Sequence, residues 1–233
     1  IQGAAQEPVY LLIDDGKAEL REAGGLWGLD AFETADRLTD GHGGRPFAVV
    51  DIGPAGEKLV RMACLVADKH SFAGRCGLGA VMGSKRLKAI AVRGSQAVPV
   101  ADPARLRELS RAAHVSIHKT ASSNGLRDHG TPNLCITAES VGDMPIKYWS
   151  GDVWPEGAAK LGAPNYTEEL QAKPLPCVHC PVGCHRNITT TDPDGRPLTG
   201  PGPEYETLGM LGSSLLIDDL RVVAAANDIC NRL

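Results

Sequence analysis

The sequence predicts an α+β chain, β-rich in front and mostly helical behind, from three observations. Short aliphatic runs separated by turn signals fill the first 98 residues, and an apolar stripe at three- and four-residue spacing opens just after an acid-proline pair at Asp102-Pro103. The 27 glycines and 16 prolines among 233 residues, against 4% aromatics, demand many turns and backbone-lined loops. The expected domains are residues 1–98 and 99–233.

Residues 8–13 and 17–20 flank Asp14-Asp15-Gly16 and read as two strands around a tight turn, because Asp-Gly supplies the positive φ that a hairpin needs. A short helix is expected over residues 31–38, closed by Gly41-His42-Gly43-Gly44. Residues 47–50, 59–66 and 87–92 read as further strands. Asp102 is placed to N-cap a helix with Pro103 in its first turn, along which Leu106, Leu109, Ala113 and Ile117 form one stripe. Residues 120–176 are rich in Gly, Pro and Asn, and a last helix starts near Asp218-Asp219 with Leu220, Val223 and Ile229 turned inward.

The 24 basic and 28 acidic side chains leave a formal charge of −4, which excludes a basic nucleic-acid binder. No apolar run nears the ~18 residues of a membrane span, and no basic-then-apolar leader precedes the first strand. The expectation is a soluble, cytoplasmic chain. It begins with Ile1 and stops inside a helical pattern at Leu233, so it reads as an internal piece of a longer polypeptide.

Three of the seven cysteines crowd into Cys177-Val178-His179-Cys180-Pro181-Val182-Gly183-Cys184, a C-x2-C-x3-C run. Thiolates in a short loop of Gly and Pro suit an iron–sulfur cluster, and crowding favours metal over disulfides. The alternative is zinc, with His179, His185 or Cys230 as fourth ligand. For a four-iron cluster the fourth ligand is either Cys230 or a residue beyond the chain.

A second dense segment runs from Ala73 to Lys88, where Gly74, Gly77, Gly79 and Gly83 accompany Arg75, Lys85, Arg86 and Lys88. Close backbone approach plus positive charge describes an anion cradle. The glycine intervals match neither G-x-G-x-x-G nor the Walker pattern, so the expected ligand is phosphorylated but is neither a dinucleotide nor a nucleoside triphosphate. The bland reading is a turn between strands with solvated lysines. Behind the cysteines, Gly202-Pro203-Glu204-Tyr205-Glu206 is a candidate acid/base site. On a helix Glu204 and Glu206 point roughly opposite ways, so one at most faces a buried site, and the alternative is a first turn stabilised by negative charge.

Three segments, AGRCGLGAVMGSKRLKAIAVRG (73–94), CVHCPVGC (177–184) and GPEYETLGMLGS (202–213), together resemble the tungsten-containing aldehyde:ferredoxin oxidoreductase family, as do PVYLLI and DIGPAGEKLVRMA. The resemblance covers nearly the whole chain. It implies the end of a β-rich pterin-binding domain followed by the start of a helical iron–sulfur and substrate domain. It also implies a tungsten centre (molybdenum being the variant) held by two pterin dithiolenes, with a 4Fe-4S cluster nearby. Ser71, Phe72, Gly74, Arg75, Gly77 and Lys85 would lie on the pterin side, with Arg75 the main cation. Cys177, Cys180 and Cys184 would bind the cluster, the fourth cysteine lying far downstream. Glu206 would be the general base, Tyr205 a hydrogen-bond partner of the substrate oxygen, and Glu204 the alternative base.

The implied activity is oxidation of an aldehyde to a carboxylic acid, with electrons passing to ferredoxin or a partner subunit, so a homo- or hetero-oligomer is an open expectation. Its rivals are an aromatic-ring-reducing subunit of the benzoyl-CoA reductase type and, from another class, a non-catalytic zinc-binding or electron-carrier domain. Two departures stand out. Ser71-Phe72 replaces an Arg-Ala pair found in many members, and both the amino-terminal pterin glycines and the histidine near the metal are missing. The chain alone is therefore not expected to turn over.

Overall fold

Asp15 (φ 45°) and Gly16 (φ 83°) are both left-handed, which gives the two-residue turn whose twist matches the strands it joins, β1 (Val9–Asp14) and β2 (Lys17–Glu22). Their register runs from Val9 opposite Glu22 to Asp14 opposite Lys17. The computed structural model describes residues 1–40 and 47–233, so the expected glycine closure at Gly41-His42-Gly43-Gly44 lies outside the described residues. Two units result: residues 1–99 with 229–233, and residues 100–228.

In the first unit follow α1 (Ala31–Asp40), β3 (Ala48–Asp51), α2 (Pro54–Glu57), β4 (Leu65–Ala67), β5 (Ser71–Ala73), α3 (Leu78–Ser84) and β6 (Leu87–Arg93). The strands form one sheet in the order β2-β1-β6-β3-β4-β5, antiparallel except for β1 beside β6. Tyr10, Leu12, Val49, Ala89 and Ala91 pack with Ala35 and Leu38 of α1, whereas Ile52 and Leu87 pack with Met82 of α3. Burial of these two clusters is the main favourable term in the unit.

Two expectations fail here. Residues 59–66 are not a strand: Leu59 is left-handed (φ 60°), the chain turns through residue 64, and pairing begins only at Leu65. The glycine segment is not a simple turn between strands either, because residues 78–84 of it form α3. Lys88, read as a solvated cation, is 0% exposed. Its ammonium spends all three protons on the carbonyls of Leu29 and Ile52 and on Glu57 Oε1, at 2.8, 2.7 and 2.5 Å. Glu57 in turn accepts the Gly28 N–H.

The second unit contains α4 (Pro103–Ile117), α5 (Ala121–His129), α6 (Cys135–Ser140), α7 (Pro155–Leu161), α8 (Asn165–Glu169), β7 (Lys173–Leu175), β8 (His185–Thr191), β9 (Pro197–Pro201), α9 (Tyr205–Thr207) and most of α10 (Leu220–Arg232). The strands make an antiparallel sheet in sequence order, and Leu161, Tyr166, Leu170, Leu208, Leu220 and Val223 centre the core. Asp102 caps α4 as expected, its side chain accepting the Ala104 and Arg105 N–H groups. The stripe of α4 does not face a core: Leu106 and Leu109 are 53% and 50% exposed, and the helix buries no residue. Ile229, expected inward, is exposed as well, while Leu220 and Val223 are buried. Among the described residues no helix is long and apolar enough to cross a membrane.

Candidate active site and thiolate loop

The Gly202-Pro203 turn delivers the chain to Glu204 and α9. The Thr131 hydroxyl accepts the Tyr205 N–H at 2.9 Å and donates to the Glu204 carboxylate, so Glu204 is spent on holding the start of the helix. Tyr205 and Glu206 instead border an open cleft of about 220 Å³, walled by Pro145, Trp149, Gly209 and Met210 and completed by Asp143. The Tyr205 hydroxyl donates to the Asp143 carbonyl at 3.2 Å. Burial, with the Asp143 charge second, pushes the phenol up to about 12, so it is a proton donor throughout the neutral range. Glu206 is exposed to the cleft, and a Cβ at Gly209 would press on the Pro145 ring at 3.2 Å. The structure thus brings Tyr205 and Glu206 together and turns Glu204 away.

The cleft wall has an unusual backbone. Lys147, Tyr148 and Trp149 are successive non-glycine residues in the left-handed region, with φ of 47°, 55° and 60°. Such residues cost roughly 1–2 kcal/mol each and occur singly as a rule. Neighbouring bonds hold the turn: Lys147 N–H donates to the Ser213 carbonyl, Gly151 N–H to that of Ile146, and the Ser214 hydroxyl to that of Pro145, at 3.2, 3.0 and 3.0 Å. Gly151 is required where the turn closes, since a Cβ there would lie 2.7 Å from the Ile146 side chain.

In the thiolate loop Cys177 is exposed and Cys180 and Cys184 are half-buried, all three free. Gly183 (φ 63°) and His179 (φ 60°) bend the loop, and the Cys180 N–H closes a turn onto the Cys177 carbonyl at 3.0 Å. The Gly183 and then the Val182 amides, aimed at the Cys180 sulfur, hold its thiol below the ordinary range. Burial, and next the Glu204 charge, push Cys184 up.

Beside this loop lies Arg186, only 2% exposed. Its guanidinium donates to the carbonyls of Gly183, His185, Leu126 and Arg127 at 2.9, 3.1, 2.9 and 2.6 Å, while Nε finds no partner among the described residues. No carboxylate among the described residues is within ion-pairing distance of it. A buried cation without a paired acid calls for an anion nearby, and a thiolate-ligated iron–sulfur cluster is one. Among the described residues no three His, Cys, Asp or Glu side chains are gathered as a single ion such as zinc would need. In a polynuclear cluster each thiolate meets a different iron, so the donor set and the unpaired guanidinium fit that group.

The first unit holds the residues assigned to the pterin side. Arg75 is exposed and forms no ion pair among the described residues, and a Cβ at Gly74 would meet nothing within 4 Å. Gly77, Gly79 and Gly83 are needed by the fold itself. A Cβ at each would lie 2.5 Å from the Arg61 carbonyl oxygen, 2.5 Å from that of Cys64 and 1.9 Å from that of Gly56. Phe72 packs against Ala31, Phe32 and Val66, Ser71 contacts the His70 ring at 3.0 Å, and the Lys85 ammonium donates to the Gly3 carbonyl.

Sequence reasoning missed Thr131, Trp149 and Arg186. The only signals for them were a Gly-Thr-Pro turn, an isolated Trp-Ser-Gly, and an arginine two residues past the last cysteine of the run.

Two family models match the chain. Residues 1–94 match the aldehyde ferredoxin oxidoreductase N-terminal domain, and residues 108–233 match domains 2 and 3 of aldehyde ferredoxin oxidoreductase. The chain is 37% identical over 239 residues to the tungsten-containing aldehyde ferredoxin oxidoreductase of Pyrococcus furiosus, which covers 100% of this chain and 38% of that protein. The protein of the same name from Thermococcus kodakarensis is 36% identical, with 99% and 38% covered. An aliphatic sulfonate oxidoreductase, WOR-like subunit, from Pyrococcus furiosus is 28% identical over 92% of the chain and 36% of its own length. Among solved structures, the active site complex BamBC of benzoyl coenzyme A reductase with 1,5-dienoyl-CoA superposes with a TM-score of 0.79 at 25% identity, over 99% of this chain and 36% of that one. The chain therefore spans somewhat over a third of the length of the relatives it matches.

Proposed function

The chain belongs to the aldehyde ferredoxin oxidoreductase family, and from that membership we propose that the whole polypeptide oxidises aldehydes to carboxylic acids. The single observation that carries this reading is the shared cleft: Tyr205 and Glu206 face it together, while Thr131 draws Glu204 aside. In the balanced reaction an aldehyde and one water give a carboxylic acid, two protons and two electrons. Glu206 takes a proton from the attacking water as general base, and the Tyr205 hydroxyl, protonated at neutral pH, exchanges its bond to the Asp143 carbonyl for one to the aldehyde oxygen. Pro145, Gly209 and Met210 give the rest of the aldehyde an apolar surface to lie against.

A tungsten–bispterin centre, when bound, supplies uptake of the electron pair, and a 4Fe-4S cluster supplies its one-at-a-time relay to ferredoxin or a partner subunit. Cys177, Cys180 and Cys184 would hold the cluster, with Arg186 balancing its charge. Gly74 and Arg75 would face the pterin from the first unit, which we assign as the end of the pterin-binding domain. Gly77, Ser71, Phe72 and Lys85 would support that segment through backbone groups. A cytoplasmic setting and an oligomer with an electron-transfer subunit belong to the same reading. The second reading, reduction of an aromatic thioester, is favoured by the superposition on the benzoyl coenzyme A reductase complex.

The test is metal analysis with turnover of the full-length protein. Tungsten or molybdenum with about four irons, and aldehyde-dependent dye reduction, support the proposal. Glu206→Gln should lower kcat by about 10²–10⁴-fold with metals fully loaded, the usual contribution of a general base. Unchanged turnover in that variant removes Glu206 from its role, and a lone zinc removes the enzyme reading altogether.

A further inference from the structure

We infer that Trp149 is a specificity-determining residue whose indole forms the wall against which the ring of an aromatic aldehyde lies in the Tyr205–Glu206 cleft. This rests on the aldehyde-oxidising reading. The polar groups of the cleft, Tyr205, Glu206 and Asp143, are where a carbonyl would be handled, whereas Pro145, Trp149, Gly209 and Met210 present apolar surface. A cleft of about 220 Å³ falls below the roughly 300–1,000 Å³ of sites for drug-sized ligands, so a single ring with its carbonyl suits it and a long thioester does not.

The wall is deliberate in its construction. Trp149 is 61% exposed, an arrangement that leaves a large apolar face in water unless a ligand covers it. It is presented by the third of three successive left-handed residues, a conformation that persists because both ends of the turn are tied by hydrogen bonds to Ile146 and Ser213. Backbone held in a rare region by its surroundings is characteristic of ligand clamps. An indole face also prefers an aromatic ring, stacked or edge-on, over an alkyl chain.

The experiment compares benzaldehyde with acetaldehyde in the full-length, metal-loaded enzyme carrying Trp149→Ala, Trp149→Leu or Trp149→Phe. Trp149→Ala and Trp149→Leu should raise KM for benzaldehyde by about three- to tenfold at unchanged kcat, the range expected for one aromatic pair. The KM of acetaldehyde, which has no ring to lie on the indole, should rise less than that of benzaldehyde, and Trp149→Phe should retain most of the preference. Saturation transfer from protein to the benzaldehyde ring protons gives a readout independent of turnover and should weaken in Trp149→Ala. Equal effects on both aldehydes, or undiminished saturation transfer, overturn the inference. If the loaded wild type oxidises neither aldehyde yet ring contact still depends on Trp149, the proposed activity falls and the aromatic wall stands.

Discussion

The glycine segment of the first unit and the thiolate loop of the second are both short runs of residues suited to binding, with an arginine in or beside each, yet the fold uses them oppositely. Three of the four glycines at 74–83 are consumed by backbone contacts within the unit, and Lys88 is sealed in a saturated site with Glu57. The thiolate loop leaves its chemistry unfinished: free thiols, amides aimed at Cys180, and a buried Arg186 with no ion pair among the described residues. Density of suggestive residues is therefore a poor guide to a site, and unmet bonding capacity is a better one.

Gly83 has the tightest of these backbone contacts. Gly83→Ala places a methyl 1.9 Å from the Gly56 carbonyl oxygen and should cost on the order of 3 kcal/mol or more, whereas Gly74→Ala should leave thermal stability unchanged. Calorimetry of the two variants measures the contrast.

Asp51 sharpens it by pH. The residue is 1% exposed, both its oxygens lack partners among the described residues because Lys88 has no proton left to give, and burial raises its pKa from 3.8 to about 8. The folded state then holds a proton that the unfolded state releases, so stability falls as pH rises from about 4 to 8 and the loss is complete above that. Asp51→Asn should match the wild type at pH 4 and gain a few kcal/mol at pH 9, flattening the profile.

In the second unit, Arg186→Lys gives up the fork that spans four carbonyls and should cost about 1.5–3 kcal/mol, read as a lower Tm and faster alkylation of Cys184. Smallest for the fold is Arg75→Ala. It should not move Tm, while weakening pterin retention by about 1.5–3 kcal/mol, measured as cofactor loss on dilution.

What was legible in the sequence had a local cause. Asp15-Gly16 dictates its hairpin and Asp102-Pro103 its helix start, because each acts on adjacent backbone. What was illegible had a distant one. Interior glycines argue against a helix by propensity, but in α3 they let its backbone meet Gly56 and Ala63, and close contact outweighs the roughly 1 kcal/mol that each costs. The apolar run at 59–66 has strand composition, yet its chain turns at Leu59. At the site, the cysteine spacing and the Glu-Tyr-Glu run could be seen directly. The role of Arg186 could not, since it depends on Leu126 and Arg127, some sixty residues earlier in the chain.

The tail of α10 returns to the unit with which the chain began. Ala55 N–H donates to the Leu233 carbonyl at 2.9 Å, and a Cβ at Gly53 would lie 2.3 Å from that of Arg232. The Arg232 guanidinium sits 4.5 Å over the Phe32 ring and 3.2 Å from Asp30. Spatial order and synthesis order therefore differ. Once residues 1–99 have left the ribosome every strand of the six-stranded sheet has been delivered but not the residues that seat on α2 and Phe32, so those contacts must wait while well over a hundred further residues are translated.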